Sequence, residues 1–251
     1  MRLALGAFAV VLVITSLEGC PTRPHGPEAP PATPVGVSPA APGSLQAPRH
    51  EGRPYDVESR ESLLTILAFR GGALAKAGHN HVIASHDVTG TFYVPDDVLR
   101  STFELHVPVA QLSIDEPDLR AKEGPDFSTE VPESAKEGTR RNMLSEALLN
   151  GSQYPDITLV SRRIDPAPAG STVRADVQVT VRGQAHTVSV PVVYSVRQGE
   201  LLASGEVSIK QTDLGLTPFS AMLGALQVQD ELRVRFRIVA REARTKGAAG
   251  T

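Results

Sequence analysis

The stretch Val173-Arg174-Ala175-Asp176-Val177-Gln178-Val179-Thr180-Val181-Arg182-Gly183-Gln184-Ala185-His186-Thr187-Val188-Ser189-Val190-Pro191-Val192 decides the fold. Val173, Ala175, Val177, Val179 and Val181 fall on one side of a period-two pattern, with Arg174, Asp176, Gln178, Thr180 and Arg182 on the other. After Gly183 the alternation resumes, with His186, Val188, Val190 and Val192 set against Thr187, Ser189 and Pro191. Successive side chains of a strand point to opposite faces, so each run has one apolar and one polar face. Two such runs joined by a glycine turn make a β-hairpin. Pro191 cannot donate to a ladder and marks an edge or a bulge.

The same period recurs outward from this hairpin. Phe103, Leu105, Val107 and Val109 alternate with Glu104, His106 and Pro108, and Leu232, Val234, Phe236 and Ile238 alternate with three arginines. Val207 and Ile209 follow the rule, and further strands are expected over Leu63–Phe69, Val88–Val94 and Ile157–Ile164. About eight strands with one apolar face each predict an antiparallel sheet, closed on itself or folded into a sandwich. One helix is expected over Glu133–Leu149, from the spacing of Ala135, Met143, Leu144, Ala147 and Leu148, with Asn150-Gly151 as its stop. A shorter helical turn is expected over Gly72–Ala77.

Composition narrows the function classes. A net charge of −3 excludes a strongly basic nucleic-acid surface. No Walker loop, G-x-G-x-x-G or G-x-S-x-G occurs. The single cysteine allows no internal disulfide. Aromatics are scarce, at 4% with no Trp, so the inward faces are built from small Val and Ala. Such faces fill a barrel less completely than Phe or Trp would.

The N-terminus carries a second signal. Met1-Arg2 leads into an apolar run from Leu3 to Leu17, as in a secretory signal and short of the ~20 residues a transmembrane helix needs. Leu17-Glu18-Gly19-Cys20 resembles the lipobox of bacterial lipoproteins. That resemblance implies removal of residues 1–19, acylation of Cys20 and an exported, lipid-anchored protein of the cell envelope, facing the periplasm or the cell surface. Residues 20–54 hold ten of the 20 prolines before Tyr55 and no aromatic, so a disordered, semi-rigid linker is expected there. A folded domain over 55–241 and a disordered tail over 242–251 complete the expected organisation.

The domain resembles the YceI-like family through an ordered set of short motifs. Tyr55-Asp56-Val57-Glu58-Ser59 opens it, followed by Ala77-Gly78-His79-Asn80-His81 and Asp87-Val88-Thr89-Gly90-Thr91-Phe92. Leu112-Ser113-Ile114-Asp115, Asn142-Met143-Leu144, Tyr154-Pro155-Asp156-Ile157 and Val181-Arg182-Gly183-Gln184-Ala185-His186 come next in order. Gln211-Thr212-Asp213-Leu214-Gly215-Leu216 and Val228-Gln229-Asp230-Glu231-Leu232 close it. The segment Glu116–Pro132 is longer and more charged than in the shortest members. The resemblance implies a mostly β fold, an eight-stranded antiparallel lipocalin-like barrel with one inserted helix. It also implies a lumen able to hold a long apolar molecule, a polyisoprenoid or a fatty-acyl chain.

Candidate site residues follow. Phe69, Phe103, Leu105, Val177, Val179, Val188 and Val190 are expected to line the lumen. The apolar segment with Phe219, Met222, Leu223 and Leu226, broken by Pro218 and Gly224, is expected to form its mouth. His79 and His81 would share a face on a strand and could share a metal, with His86, Asp87 or His186 completing the set. Two ligands without a Cys cluster or H-E-x-x-H are too few, so the ordinary reading is hydrogen bonding to backbone or to a ligand headgroup. No metal and no cofactor beyond a bound apolar lipid is expected. Asp96-Asp97 and Asp115-Glu116 read as solvated turns, and no nucleophile–base pair is in evidence. The expected partners are a long-chain lipid and the membrane, with no nucleic acid. A non-enzymatic domain with a filled barrel and, further off, a metal-dependent enzyme are the competing readings.

Overall fold

In the computed structural model, the residues described are 50–167, 170 and 172–243. The expected signal segment 1–19, Cys20, the expected linker up to residue 49 and the tail from residue 244 lie outside them. The strands in chain order are β1 (Arg53–Val57), β2 (Leu63–Gly71), β3 (His81–Ser85), β4 (Thr89–Val94), β5 (Thr102–Pro108), β6 (Ser113–Ile114), β7 (Asp156–Pro166), β8 (Thr172–Val181), β9 (Gln184–Arg197), β10 (Glu200–Lys210), β11 (Ser220–Ala221) and β12 (Leu226–Glu242). Neighbours pair antiparallel in the order β1-β4-β5-β7-β8-β9-β10-β12, and β12 pairs back onto β1. Eight strands thus close a barrel, and β2, β3 and β6 extend the sheet from the other part of the long β12.

The quoted hairpin forms as the alternation predicts, with β8 and β9 in register from Val181 opposite Gln184 to Thr172 opposite Val193. β10 pairs with β9 only over Val193–Arg197. The segment around Pro191 therefore has a ladder partner on one side alone, which is where a residue without an N–H is tolerated. Gly205 sits at the parting of the two strands. A Cβ there would lie 2.3 Å from the Pro191 carbonyl oxygen and 2.7 Å from the Phe236 ring. β7 carries a bulge between Ser161 and Arg163, and the Ser161 hydroxyl accepts from the Phe103 N–H at 2.9 Å.

One end of the barrel is densely packed around Tyr55, Phe92, Leu201, Ile238 and Ala240. The long β6–β7 connection crosses the other end. It contains α1 (Pro117–Arg120), a single turn absent from the sequence reading, and α2 (Glu133–Leu144). α2 ends five residues earlier than expected. Ser145 turns extended, the Leu149 N–H donates to the Met143 carbonyl, and the Gly151 N–H donates to the Leu144 carbonyl. Leu148 and Leu149 are apolar because this returning turn packs on the barrel, not because the helix continues, and Ala147 is exposed. The expected turn over Gly72–Ala77 is a 3₁₀ turn at Ala75–Ala77.

β2 supplies the main misreading of phase. Leu64, Ile66, Ala68 and Arg70 face the lumen, and Phe69 faces outward. There it meets Phe127 edge-on at 5.7 Å in a small outer core with Leu67, Val82, Ala84 and Leu119. Phe69 is therefore not a lumen residue. The run Leu63-Leu64-Thr65-Ile66-Leu67-Ala68-Phe69 is apolar on both faces, because the α1 segment covers its outer side.

Candidate functional site: an apolar lumen with a polar collar

An apolar cavity of about 370 Å³ runs through the barrel. That lies at the lower end of the ~300–1,000 Å³ range of ligand pockets. Of the expected lumen and mouth residues, Phe103, Leu105, Val177, Val179, Val188, Val190, Phe219 and Leu226 line it, as do His79 and His81. Met222 and Leu223 stand outside the lining, at the same end of the barrel, with their side chains in solvent. The inward positions of β8 and β9 are all valine here, and Ala203 and Val207 lie on β10. Branched, short side chains meet across a wide barrel without interdigitating fully, and the remaining space is the lumen.

The polar groups of the lining gather near the helix-covered end. They are Arg70, His79, His81, Thr139, Asn142, Gln211 and Gln227. His81 is fixed through both ring nitrogens. Its Nδ1 donates to Asp115 Oδ2 at 2.6 Å, and its Nε2 meets the Thr139 hydroxyl at 3.3 Å. The carboxylate behind it is held in turn: Asp115 Oδ1 accepts from the Val82 N–H at 2.8 Å and from Arg120 Nη1 at 2.6 Å. Arg120 also donates to the carbonyls of Asn80, Phe127 and Thr129 at 2.7–2.8 Å. Burial alone would raise the Asp115 carboxyl, but the bonds from His81, Val82 and Arg120 hold it below the ordinary carboxylate range. Burial pushes the His79 imidazole below its ordinary value, with His81 and Arg120 acting in the same direction. His79 therefore presents an uncharged ring to the lumen at neutral pH.

Asp115 is 1% exposed, which overturns its reading as a solvated turn residue. It does occupy a turn, with φ +56, but the turn points its side chain inward to bind three partners. Asp96-Asp97 does form an exposed turn, where Asp97 accepts from the Leu99 N–H at 3.1 Å. The envisaged metal set is not assembled. The His79 and His81 rings are 6.3 Å apart, His86 pairs with Glu116 at 3.0 Å, and His186 lies against Gly215. Among the described residues no group of three or more His, Cys, Asp or Glu is placed to hold a metal ion. Sequence reasoning missed Arg70, Arg120, Thr139, Asn142, Gln211 and Gln227. Arg120, Thr139 and Asn142 come from the long connection, Gln211 from the turn after β10, and Arg70 and Gln227 from the ends of β2 and β12, each a polar side chain that an apolar alternation does not pick out.

A closed antiparallel barrel with an apolar lumen and polar groups gathered toward one end defines the lipocalin-like class of barrels. The YceI-like domain model matches residues 55–240, and the chain belongs to that family. Among solved structures, BcnA of Burkholderia cenocepacia is similar, with 17% identity and a TM-score of 0.54 over 73% of this chain and 99% of its own. A polyisoprenoid binding domain from Saccharophagus degradans, implicated in plant cell wall breakdown, has 11% identity and a TM-score of 0.46 over 75% of this chain and 98% of its own. The YCEI protein of Campylobacter jejuni has 11% identity and a TM-score of 0.45 over 62% of this chain and 82% of its own. No curated protein matches the chain.

Proposed function

We propose that this protein binds or carries one long-chain amphiphilic lipid, of polyisoprenoid or fatty-acyl type, in the barrel lumen and performs no chemistry on it. The observation that carries this reading is the form of the cavity. Its wall is almost wholly hydrocarbon along the barrel, and its polar side chains gather toward the helix-covered end. An amphiphile has the same asymmetry. Each ~100 Å² of lipid hydrocarbon taken from water into such a lumen contributes roughly 2.5 kcal/mol. The headgroup would then lie by His79 and His81, where two imidazole rings, one held by Asp115, offer hydrogen bonds beside the guanidinium of Arg70. A small polar headgroup, neutral or anionic, suits that collar.

The same proposal places the mature protein in the cell envelope, held to a membrane by acyl chains on Cys20. Two or more chains hold such a protein where one binds marginally. Organic extraction of the purified protein followed by mass spectrometry tests the ligand. A co-purifying long-chain species is the expected result. Repeatedly empty protein that also fails to take up fluorescent prenyl and acyl probes rejects lipid carriage. Membrane fractionation of Cys20→Ser tests the anchor, and its release into the soluble fraction is expected.

A further inference from the structure

We infer that the tip formed by the β2–β3 and β10–β12 loops is a docking surface that inserts into a phospholipid bilayer. Among the described residues five large hydrophobic side chains are exposed, and four of them belong to these two loops: Leu74 at 43%, Phe219 at 36%, Met222 at 68% and Leu223 at 108%. The two loops form one surface. The Leu74 N–H donates to the Ala225 carbonyl at 2.7 Å, and a Cβ on Gly72 would lie 2.4 Å from that same oxygen. Met222 and Leu223 both have positive φ, +52 and +57. Side-chain-bearing residues rarely adopt that backbone, and here it leaves two long apolar side chains in water.

Charge and position identify the occupant. No charged residue occurs from Leu214 to Gln229, nor from Gly71 to Ala75. The first charge beyond Leu74 is Lys76, a cation on a long stem, suited to lipid phosphates when the apolar tip lies below them. The patch is also continuous with the cavity, because Phe219 of this loop and Leu226, the first residue of β12, both line the lumen. A lipid leaving the lumen here would pass into the acyl layer without crossing water. Apolar side chains at such a tip reach the headgroup–acyl boundary, ~5–10 Å deep. This inference goes beyond lipid carriage, and its test reads insertion of the tip, not occupancy of the lumen.

The chain contains no tryptophan, so Leu223→Trp in the full-length protein places a single indole at the tip. Val193→Trp is the control, because Val193 is 52% exposed on the barrel wall, in β9. Vesicles of phosphatidylcholine and phosphatidylglycerol, with and without brominated acyl chains, are added to each variant. Leu223→Trp is expected to shift to the blue with vesicles and to be quenched by bromine, while Val193→Trp does neither. The reporter is local, so attachment elsewhere along the chain produces no signal. Solvent-like emission from Leu223→Trp in the presence of vesicles overturns the inference. A blue shift that grows with protein concentration before vesicles are added also overturns it, since the patch is then a contact between copies. Met222→Trp repeats the test should Leu223→Trp lose its β circular dichroism. Mass spectrometry of extracted lipid reads the lumen separately, so either idea can fail alone.

Discussion

Replacing Arg120 by Met would remove the centre of the polar latch while keeping most of the side chain's volume. Arg120 is 7% exposed, and its guanidinium serves four acceptors: Asp115 Oδ1 and the carbonyls of Asn80, Phe127 and Thr129. A buried acceptor left without a donor costs about 1–3 kcal/mol, so four of them sum to ~4–12 kcal/mol. Water entering from the surface recovers part of that. Breaking a buried ion pair from one side costs about 3–5 kcal/mol, and we expect Arg120→Met to fall in that range. Against a total stability of roughly 5–15 kcal/mol, such a loss is large. For a domain of this size it corresponds to a fall in Tm of about 6–20 °C, at ~2–4 °C per kcal/mol. Urea unfolding followed by far-UV circular dichroism measures it, with the midpoint expected to fall at unchanged slope. Adding Asp115→Asn removes the carboxylate left without its guanidinium, so the double variant should lose less than the sum of the single losses. A loss below about 1 kcal/mol for Arg120→Met, or strict additivity in the double variant, would refute the argument that the pair is mutually dependent.

Three further outcomes follow from named contacts. The folded Asp115 carboxyl lies below its ordinary value of about 3.9, so its contribution is complete above that pH and is lost as pH falls through the lower folded value. The stability gap between the parent and Asp115→Asn should therefore narrow between pH 7 and pH 2–3, and a gap that stays constant or widens contradicts this sign. Val177→Phe with Val190→Phe adds two rings to the lumen wall and should sharply weaken uptake of a fluorescent acyl or prenyl probe, at a stability cost of about 1–3 kcal/mol each; full uptake by the folded variant would place the ligand elsewhere. Gly205→Ala forces a methyl against the Pro191 carbonyl and the Phe236 ring, and should destabilise by roughly 1–3 kcal/mol in urea titrations.

How much the sequence revealed depended on whether a strand had one apolar face or two. β8, β9, β5 and the end of β12 alternate cleanly, and their inward residues line the cavity as the period predicts. β2 is apolar on both faces, because α1 and the turn at Phe127 cover its outer side, and Phe69 was assigned to the lumen in consequence. β3, only five residues long, was hidden behind its histidines. The polar collar was half legible. His79 and His81 stood out by chemistry, but their supports come from segments tens of residues away. Asp115 was visible as the end of the Leu112–Asp115 motif and as one acidic residue beside another, neither of which signals burial. Its role depends on Arg120, five positions later, folding back through α1 to meet it in a buried site. Nothing in the local order of residues encodes that encounter.

The parting of β9 and β10 has a consequence for how the protein lives in a crowded compartment. The part of β9 from Gln184 to Val192 is left without a ladder partner on its β10 side, and bare strand borders attract other chains into intermolecular sheets. Pro191 interrupts that border with a residue that has no N–H to offer, and the 3₁₀ turn at Thr212–Leu214 packs against the same strand. The wall can thus stay unzipped along part of its height without presenting a template for fibre growth.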